Sequence, residues 1–257
     1  MIQTSTFIIL GITAVLTIFT PIVMAVIWSK KTNAKMKSLF VGAGVFILFV
    51  VILESILHSL VLSADSIIYQ NTFLYVLYGC LAAAFFEEVG RFVAFRYFLK
   101  NEDRKQDAVM YGIGHGGVEM ILLVGLSLLS SLLFAWTLNS SGAQEMLKDL
   151  SDEVMRQSLL DMIASLQGYG IMNALMTLLE RASAMILHIA CSVLVFKSVK
   201  EKNRTLFMTA FGFHVLANIP ATLAQKQVLT QIWLVEFVIL AVALAAGYYA
   251  WKEYRKM

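Results

Sequence analysis

The stretch Phe73–Leu99, FLYVLYGCLAAAFFEEVGRFVAFRYFL, decides how the chain folds. It is apolar and continuous for longer than the about 20 residues a helix needs to cross a bilayer. It has no alternating pattern of the kind an outer-membrane strand carries. Yet it holds Glu87, Glu88, Arg91 and Arg96. A charge near the bilayer centre costs at least about 2.5–3.5 kcal/mol. Such residues must therefore pair, face a wet cavity or serve a function.

Outward from this stretch the same texture recurs. The chain has 257 residues, of which 59% are hydrophobic and 14% charged, and the mean hydropathy is +0.77. An ordinary soluble domain is about 25% charged, so a soluble fold and a disordered chain are both excluded. Seven segments are long and apolar enough to span: Ser5–Trp28, Ser38–Leu62, Phe73–Leu99, Ala108–Leu138, Gly168–Phe196, Thr205–Ala224 and Gln231–Trp251. The expected fold is all-α, a single bundle of seven transmembrane helices over residues 1–257, with a catalytic-like core over about residues 73–224. The first segment lacks a basic leader and reads as a retained helix rather than a cleaved signal.

Basic residues cluster after the first, third, fifth and seventh segments, at Lys30–Lys37, Lys100–Lys105, Lys197–Arg204 and Lys252–Lys256. The positive-inside rule then places the N-terminus outside and the C-terminus in the cytoplasm. The net charge of +3 is accounted for by these clusters, and no basic stripe with interleaved aromatics points to nucleic acid. Cys80 and Cys191 lie in apolar runs and exclude a disulfide framework or a Cys-based zinc module. The outer connection Asn139–Gln167 is acidic, with Met146, Leu150, Val154, Met162 and Ile163 at near-helical spacing. An interfacial amphipathic helix over about residues 144–163 is expected there, with a plain covering loop as the alternative.

All four histidines fall in the segments: His58, His115, His188 and His214. Counted inward from the nearest basic cluster at about 1.5 Å per residue, His115, His188, His214 and Arg91 lie roughly 14–15 Å deep and Glu87 and Glu119 roughly 20 Å deep. Four helices thus offer polar groups at similar depth, and one shared site is the economical reading. His115 and Glu119, His214 and Asn218, and Glu87 and Arg91 are each spaced i,i+4 and share a helix face. Arg91 can neutralise one of Glu87 and Glu88 while the other stays available as a general base. Gly112, Gly114, Gly116 and Gly117 around His115 read as close helix packing ahead of a distorted helix that admits water. Glu54 and His58 read as a local pair or an outer-vestibule contact. Glu180 and Arg181, adjacent on a helix, are each expected to pair with another span, Arg181 with Glu88 or Glu119.

These residues carry a resemblance. Glu87-Glu88-Val89-Gly90-Arg91, Gly112–Glu119 around His115, Leu187–Cys191 around His188, and Phe213–Asn218 with its His-x-x-x-Asn pattern resemble the four ordered motifs of the CAAX-protease and PrsW-like clan. The chain is most similar there to the YhfC family of intramembrane peptidases. The resemblance implies a helical membrane protease with Glu87 as the base that activates water. It implies His214 and Asn218 as oxyanion or orienting groups, and matches Glu119 and His188 to the PrsW-like second and third motifs. The first motif has the two-residue spacing of PrsW-like members, whereas Tyr111-x-x-x-His115 resembles the CAAX-protease second motif, so His115 and Glu119 compete for the essential place in it. Arg91 and Glu88 complete the expected site.

No cofactor is expected. A zinc version of the same hydrolase, held by His115, Glu119, His188 and His214, is one alternative. A non-catalytic scaffold, like the Aph subunit of gamma-secretase that the topology distantly resembles, is another. A transporter ranks last, because the sequence has no inverted repeat. The expected substrate is a transmembrane or lipidated peptide or protein, with the lipid bilayer as the other partner, in what the resemblance suggests is a bacterial plasma membrane. Substrate identity and oligomeric state are not legible.

Overall fold

The structure is a computed structural model that describes residues 1–63, 65–148 and 152–257. The elements are helical, with no strand among the described residues. Among the described residues, seven helices are long and apolar enough to cross a membrane: α1 (Thr4–Thr32), α2 (Met36–Val61), α4 (Thr72–Phe98), α5 (Lys105–Ser141), α8 (Ile171–Glu201), α9 (Arg204–Gln225) and α10 (Ile232–Lys256). They match the seven segments read from the sequence. Three short helices lie between them: α3 (Ile67–Gln70), α6 (Ala143–Leu147) and α7 (Glu153–Gln167). Side-chain caps mark several starts. Asn71 Oδ1 accepts the Leu74 N–H, Asp152 accepts from Val154 and Met155, and Asn203 accepts from Thr205, each satisfying an otherwise unpaired backbone donor.

Two compact units can be distinguished. The first comprises Met1–Thr20 and Met120–Leu178. Its core joins Leu10, Ala14, Leu128, Ala135, Ile163 and Leu166, and the Asn139 side chain clasps both backbone groups of Ile2 at 2.7 and 2.9 Å. Gly142, at φ +82°, turns the chain out of α5 in a conformation that costs glycine little. Here α6 and α7 occupy the acidic connection, and Leu150 lies outside the described residues.

The second unit comprises Pro21–Glu119 and Leu179–Met257. Its central element is α8, whose most apolar window is 72% buried, against 22–33% for the other spans. Against α8 pack Phe95, Ala108, Tyr111, Leu206, Ala210 and Ala243. The start of α5 lies hard against α2. A Cβ on Gly114 would overlap the Leu39 carbonyl, and one on Gly42 would overlap that of Tyr111. The glycines around His115 therefore serve close packing, the first of the two readings. At one end of this unit, Glu102 binds Lys35 at 2.5 Å and lies 3.7 Å from Lys37. The Lys35 ammonium holds its carboxyl below the usual range. Among the described residues, three stretches adopt wider π-helical turns: Ile47–Glu54 and Ala94–Phe98 in this unit and Met120–Gly125 in the first. Such turns are rare and gather at functional sites; the first ends at Glu54 and the last begins directly after Glu119.

Candidate active site

Helix α4 delivers two carboxylates and a guanidinium on successive turns of one face. Arg91 Nη1 donates to Glu88 Oε1 at 2.7 Å and Nη2 donates to Glu87 Oε2 at 3.0 Å. Arg91 thus binds both acids, where the sequence reading expected it to neutralise one and leave the other free. The fork of the guanidinium reaches i−3 and i−4 together, which a point-charge ammonium could not do as well.

Three other helices complete the cluster around Glu87. From α5, His115 Nε2 lies 3.0 Å from Glu87 Oε2. From α8, His188 Nδ1 lies 3.4 Å from the same oxygen and 2.6 Å from Arg91 Nη2. From α9, His214 Nε2 lies 3.4 Å from Glu87 Oε1 and its Nδ1 lies 2.7 Å from Glu88 Oε1. Three imidazoles from three helices therefore meet one carboxylate. The site is closed: Arg91, Glu88 and His115 are fully buried, while the side chains of Glu87 and Glu119 keep 9% and 14% exposure. Of the paired glutamates, Glu87 is the one whose side chain keeps some exposure.

A second layer extends from His188. Its Nε2 lies 2.5 Å from Glu119 Oε2, and Glu119 Oε1 accepts from Arg181 Nη1 at 2.9 Å. Arg181 Nη2 donates to Glu180 Oε1 at 2.5 Å. Arg181 meets Glu119, one of its two expected partners, but Glu180 pairs with its own neighbour rather than with another span. A long guanidinium can fold back along its helix and serve two acids, as Arg181 does here. Two buried carboxylates, Glu87 and Glu88, and the partly buried Glu119 face two guanidinium groups. Removing either cation would leave charge uncompensated in a medium that penalises it heavily.

Hydrogen-bond logic assigns the rings. The guanidinium only donates, so His188 Nδ1 accepts from Arg91 and its Nε2–H donates to Glu119. His115 donates from Nε2, and its buried Nδ1 has no partner. Asn218, one turn beyond His214 on α9, has a buried Nδ2 with no partner. An unpaired buried donor carries a desolvation cost of about 1–3 kcal/mol.

Among the described residues, two sets of side chains have the composition of a metal site. In each of Glu87, His115, His188 and Glu88, Cys191, His214, one ligand atom per residue lies within 4.8 Å of the others. The expected set of His115, Glu119, His188 and His214 is not one of them. Two imidazoles with a carboxylate are the donors of many catalytic zinc centres, so Glu87, His115 and His188 fit a metal by chemistry and convergence. Arg91 Nη2 contacts two of these donors, Glu87 Oε2 and His188 Nδ1. The proximity of Cys191 to Glu88 and His214 gave no signal in the sequence, because its apolar neighbours mark it as ordinary core.

Glu54 and His58 form the pair their spacing suggests, with His58 Nε2 3.1 Å from Glu54 Oε1. They stand apart from the Glu87 cluster, in the wall of a cavity that also includes Asn218. That Asn218 shares this wall has no signal in the sequence.

The profile of the family described as YhfC intramembrane metalloprotease matches residues 16–239. An uncharacterized membrane protein, YhfC, of Bacillus subtilis (strain 168) is 30% identical over 258 residues, covering 99% of each chain. No solved structure matches.

Proposed function

The chain belongs to the YhfC intramembrane metalloprotease family, and from that premise we propose that it hydrolyses a peptide bond of a membrane-associated protein with water activated by Glu87. One observation carries the reading: His115, His188, His214 and Arg91, from four helices, converge on the Glu87 carboxylate. Oxygen Oε2 is held by Arg91 and His115, which fixes the carboxylate's orientation. Oxygen Oε1 has only the longer 3.4 Å approach of His214 and is the freer one to take a proton from water. The water oxygen then bonds to the peptide carbon as its proton passes to Oε1.

The charge that develops on the carbonyl oxygen needs a waiting donor. The unpaired Nδ2 of Asn218 supplies one, and such preplaced donors are worth about 10²–10³ in rate. His214 lies between Glu87 and Glu88, and it satisfies both acids only as an imidazolium. In that form it can give a proton to the leaving nitrogen as the C–N bond breaks. Arg91, Glu88, Glu119 and Arg181 position these groups and balance their charge.

The family description names a metal, and the convergent donors favour a second reading on that point. Glu87, His115 and His188 would hold the ion, which when bound would polarise the carbonyl and acidify water. Against it stands the Arg91–His188 contact, because the guanidinium already uses the His188 Nδ1 lone pair.

The substrate in this reading is a transmembrane or lipidated polypeptide entering from the bilayer, and the N-terminus lies outside with the C-terminus in the cytoplasm of a bacterial cell. Protein N-termini from cells carrying wild type or Glu87→Gln test the reading directly; N-termini lost in the variant support it, and identical sets with folded variant oppose it.

A further inference from the structure

A cavity of 360 Å³ opens one helical turn from the Glu87 layer. Its wall includes Glu54, His58, Tyr78, Ala83, Asn218 and Gln225. Ala83 precedes Glu87 by one turn and Asn218 follows His214 by one turn, about 6 Å along each axis. The volume falls within the about 300–1,000 Å³ typical of ligand sites. The wall holds no lysine or arginine; His58 is its one basic residue and Glu54 its one carboxylate.

Glu54 is unusual for a residue in the apolar middle of a helix. It closes the π-helical stretch of α2 and is 5% exposed. Oxygen Oε1 pairs with His58 Nε2 at 3.1 Å, and His58 Nδ1 meets the Tyr78 hydroxyl at 2.9 Å. Oxygen Oε2 is buried with no hydrogen-bond partner. Within 4 Å, His58 is the only basic group on this carboxylate among the described residues. Lys226, next in sequence to the wall residue Gln225, is held by the Tyr69 carbonyl at 2.8 Å and lies over the Tyr69 and Tyr75 rings. A buried carboxylate oxygen without a donor is costly to keep, and a site that retains one beside a cavity is suited to receive a donor from elsewhere. The Tyr78 ring adds a face that favours a cation over a neutral group.

We propose that this cavity is a specificity subsite that takes a basic side chain, lysine or arginine, of the substrate, with Glu54 as its counter-charge and His58 and Tyr78 as the groups that position it. The subsite rests on the proteolytic reading above. Its nearness to Asn218 sets the basic residue at a fixed, short distance from the bond that is cut. Glu54 is then a binding residue and takes no part in the chemistry.

The test compares protein N-termini from cells carrying wild type, Glu54→Gln, Glu54→Lys and the Glu87→Gln blank at matched abundance. Wild-type cuts are expected to carry Lys or Arg at one fixed position. Glu54→Gln is expected to weaken that preference about tenfold to a hundredfold, the worth of one charge-assisted hydrogen bond, while cuts at sites lacking the basic residue persist. Glu54→Lys is expected to shift the preference to Asp or Glu, which a merely structural Glu54 would not do. A second arm leaves the enzyme untouched: replacing the basic residue of a found substrate by Met is expected to slow its cutting by the same factor. Cuts with no basic position, or a preference unchanged in both Glu54 variants, would overturn the subsite and leave the protease standing. Absence of any cut dependent on Glu87 would overturn both.

Discussion

Arg91 Nη2 and His188 Nδ1 lie 2.6 Å apart, and this contact ties the motif helix α4 to the central helix α8. Because the guanidinium donates, the imidazole is fixed as an acceptor on that side and a donor toward Glu119. One contact thereby sets the tautomer of a ring 3.4 Å from Glu87. Arg91 also binds Glu87 and Glu88, so it is the hub of the buried charge.

Arg91→Met is expected to destabilise the protein by about 3–5 kcal/mol, the usual penalty for stranding a buried partner. Thermal unfolding in detergent would measure it. Arg96→Met, one turn on at an exposed position, is the matched control and should change little. Equal stability of the two would mean that the cluster is not held by charge.

Glu119→Gln should leave Arg91 and Glu87 in place but loosen His188. The lost charge-assisted hydrogen bond to His188 is worth about 10–100-fold. Turnover should fall by that factor with the chain still folded, and less than in Glu87→Gln. A loss as complete as that of Glu87→Gln would instead make Glu119 a reacting group.

Two glycine substitutions separate packing from flexibility. Gly114→Ala places a Cβ against the Leu39 backbone carbonyl and should cost about 1–3 kcal/mol by overpacking. Gly44→Ala meets nothing within 4 Å and should be neutral or stabilising by up to about 1 kcal/mol. Unfolding curves of the two variants give the comparison. Similar effects would show that the α2–α5 contact is slack.

Orientation can be read by thiol labelling with little background, since Cys80 and Cys191 are both buried. A cysteine at Gln3 should react with an impermeant maleimide in intact cells, and one at Lys256 only after permeabilisation. The reverse pattern would invert the topology.

The seven spans were legible because a bilayer demands length and apolarity, and both are local properties of sequence. The pairing of Glu87 and Glu88 with Arg91 was legible for a similar reason, since i,i+3 and i,i+4 neighbours share a face on any helix. What lay beyond reach was register between helices. Nothing in the spacing of Glu54 and His58 says that Asn218, from a distant helix, shares their cavity. Nothing in Glu180-Arg181 says that the guanidinium folds back on its neighbour and still reaches Glu119. The glycines of α5 allow two readings in the sequence, because small residues mark closeness without naming the neighbour; the Leu39 carbonyl lies against Gly114.

Metal content bears on the catalytic type. Protein purified without chelators is expected to carry metal at a stoichiometry near zero, with Arg91 retaining its hold on His188. A stoichiometry near one that is lost in His115→Ala would replace this account with the metal-dependent one.

The central claim is that Glu87 activates the water. The most direct measurement compares protein N-termini in cells carrying wild type and Glu87→Gln, at matched abundance and with both proteins shown to be folded. The account predicts a set of N-termini, within or beside membrane segments, that is present with the wild type and lost with the variant. Identical N-termini in the two strains would contradict it and leave the cluster as the buried framework of a scaffold.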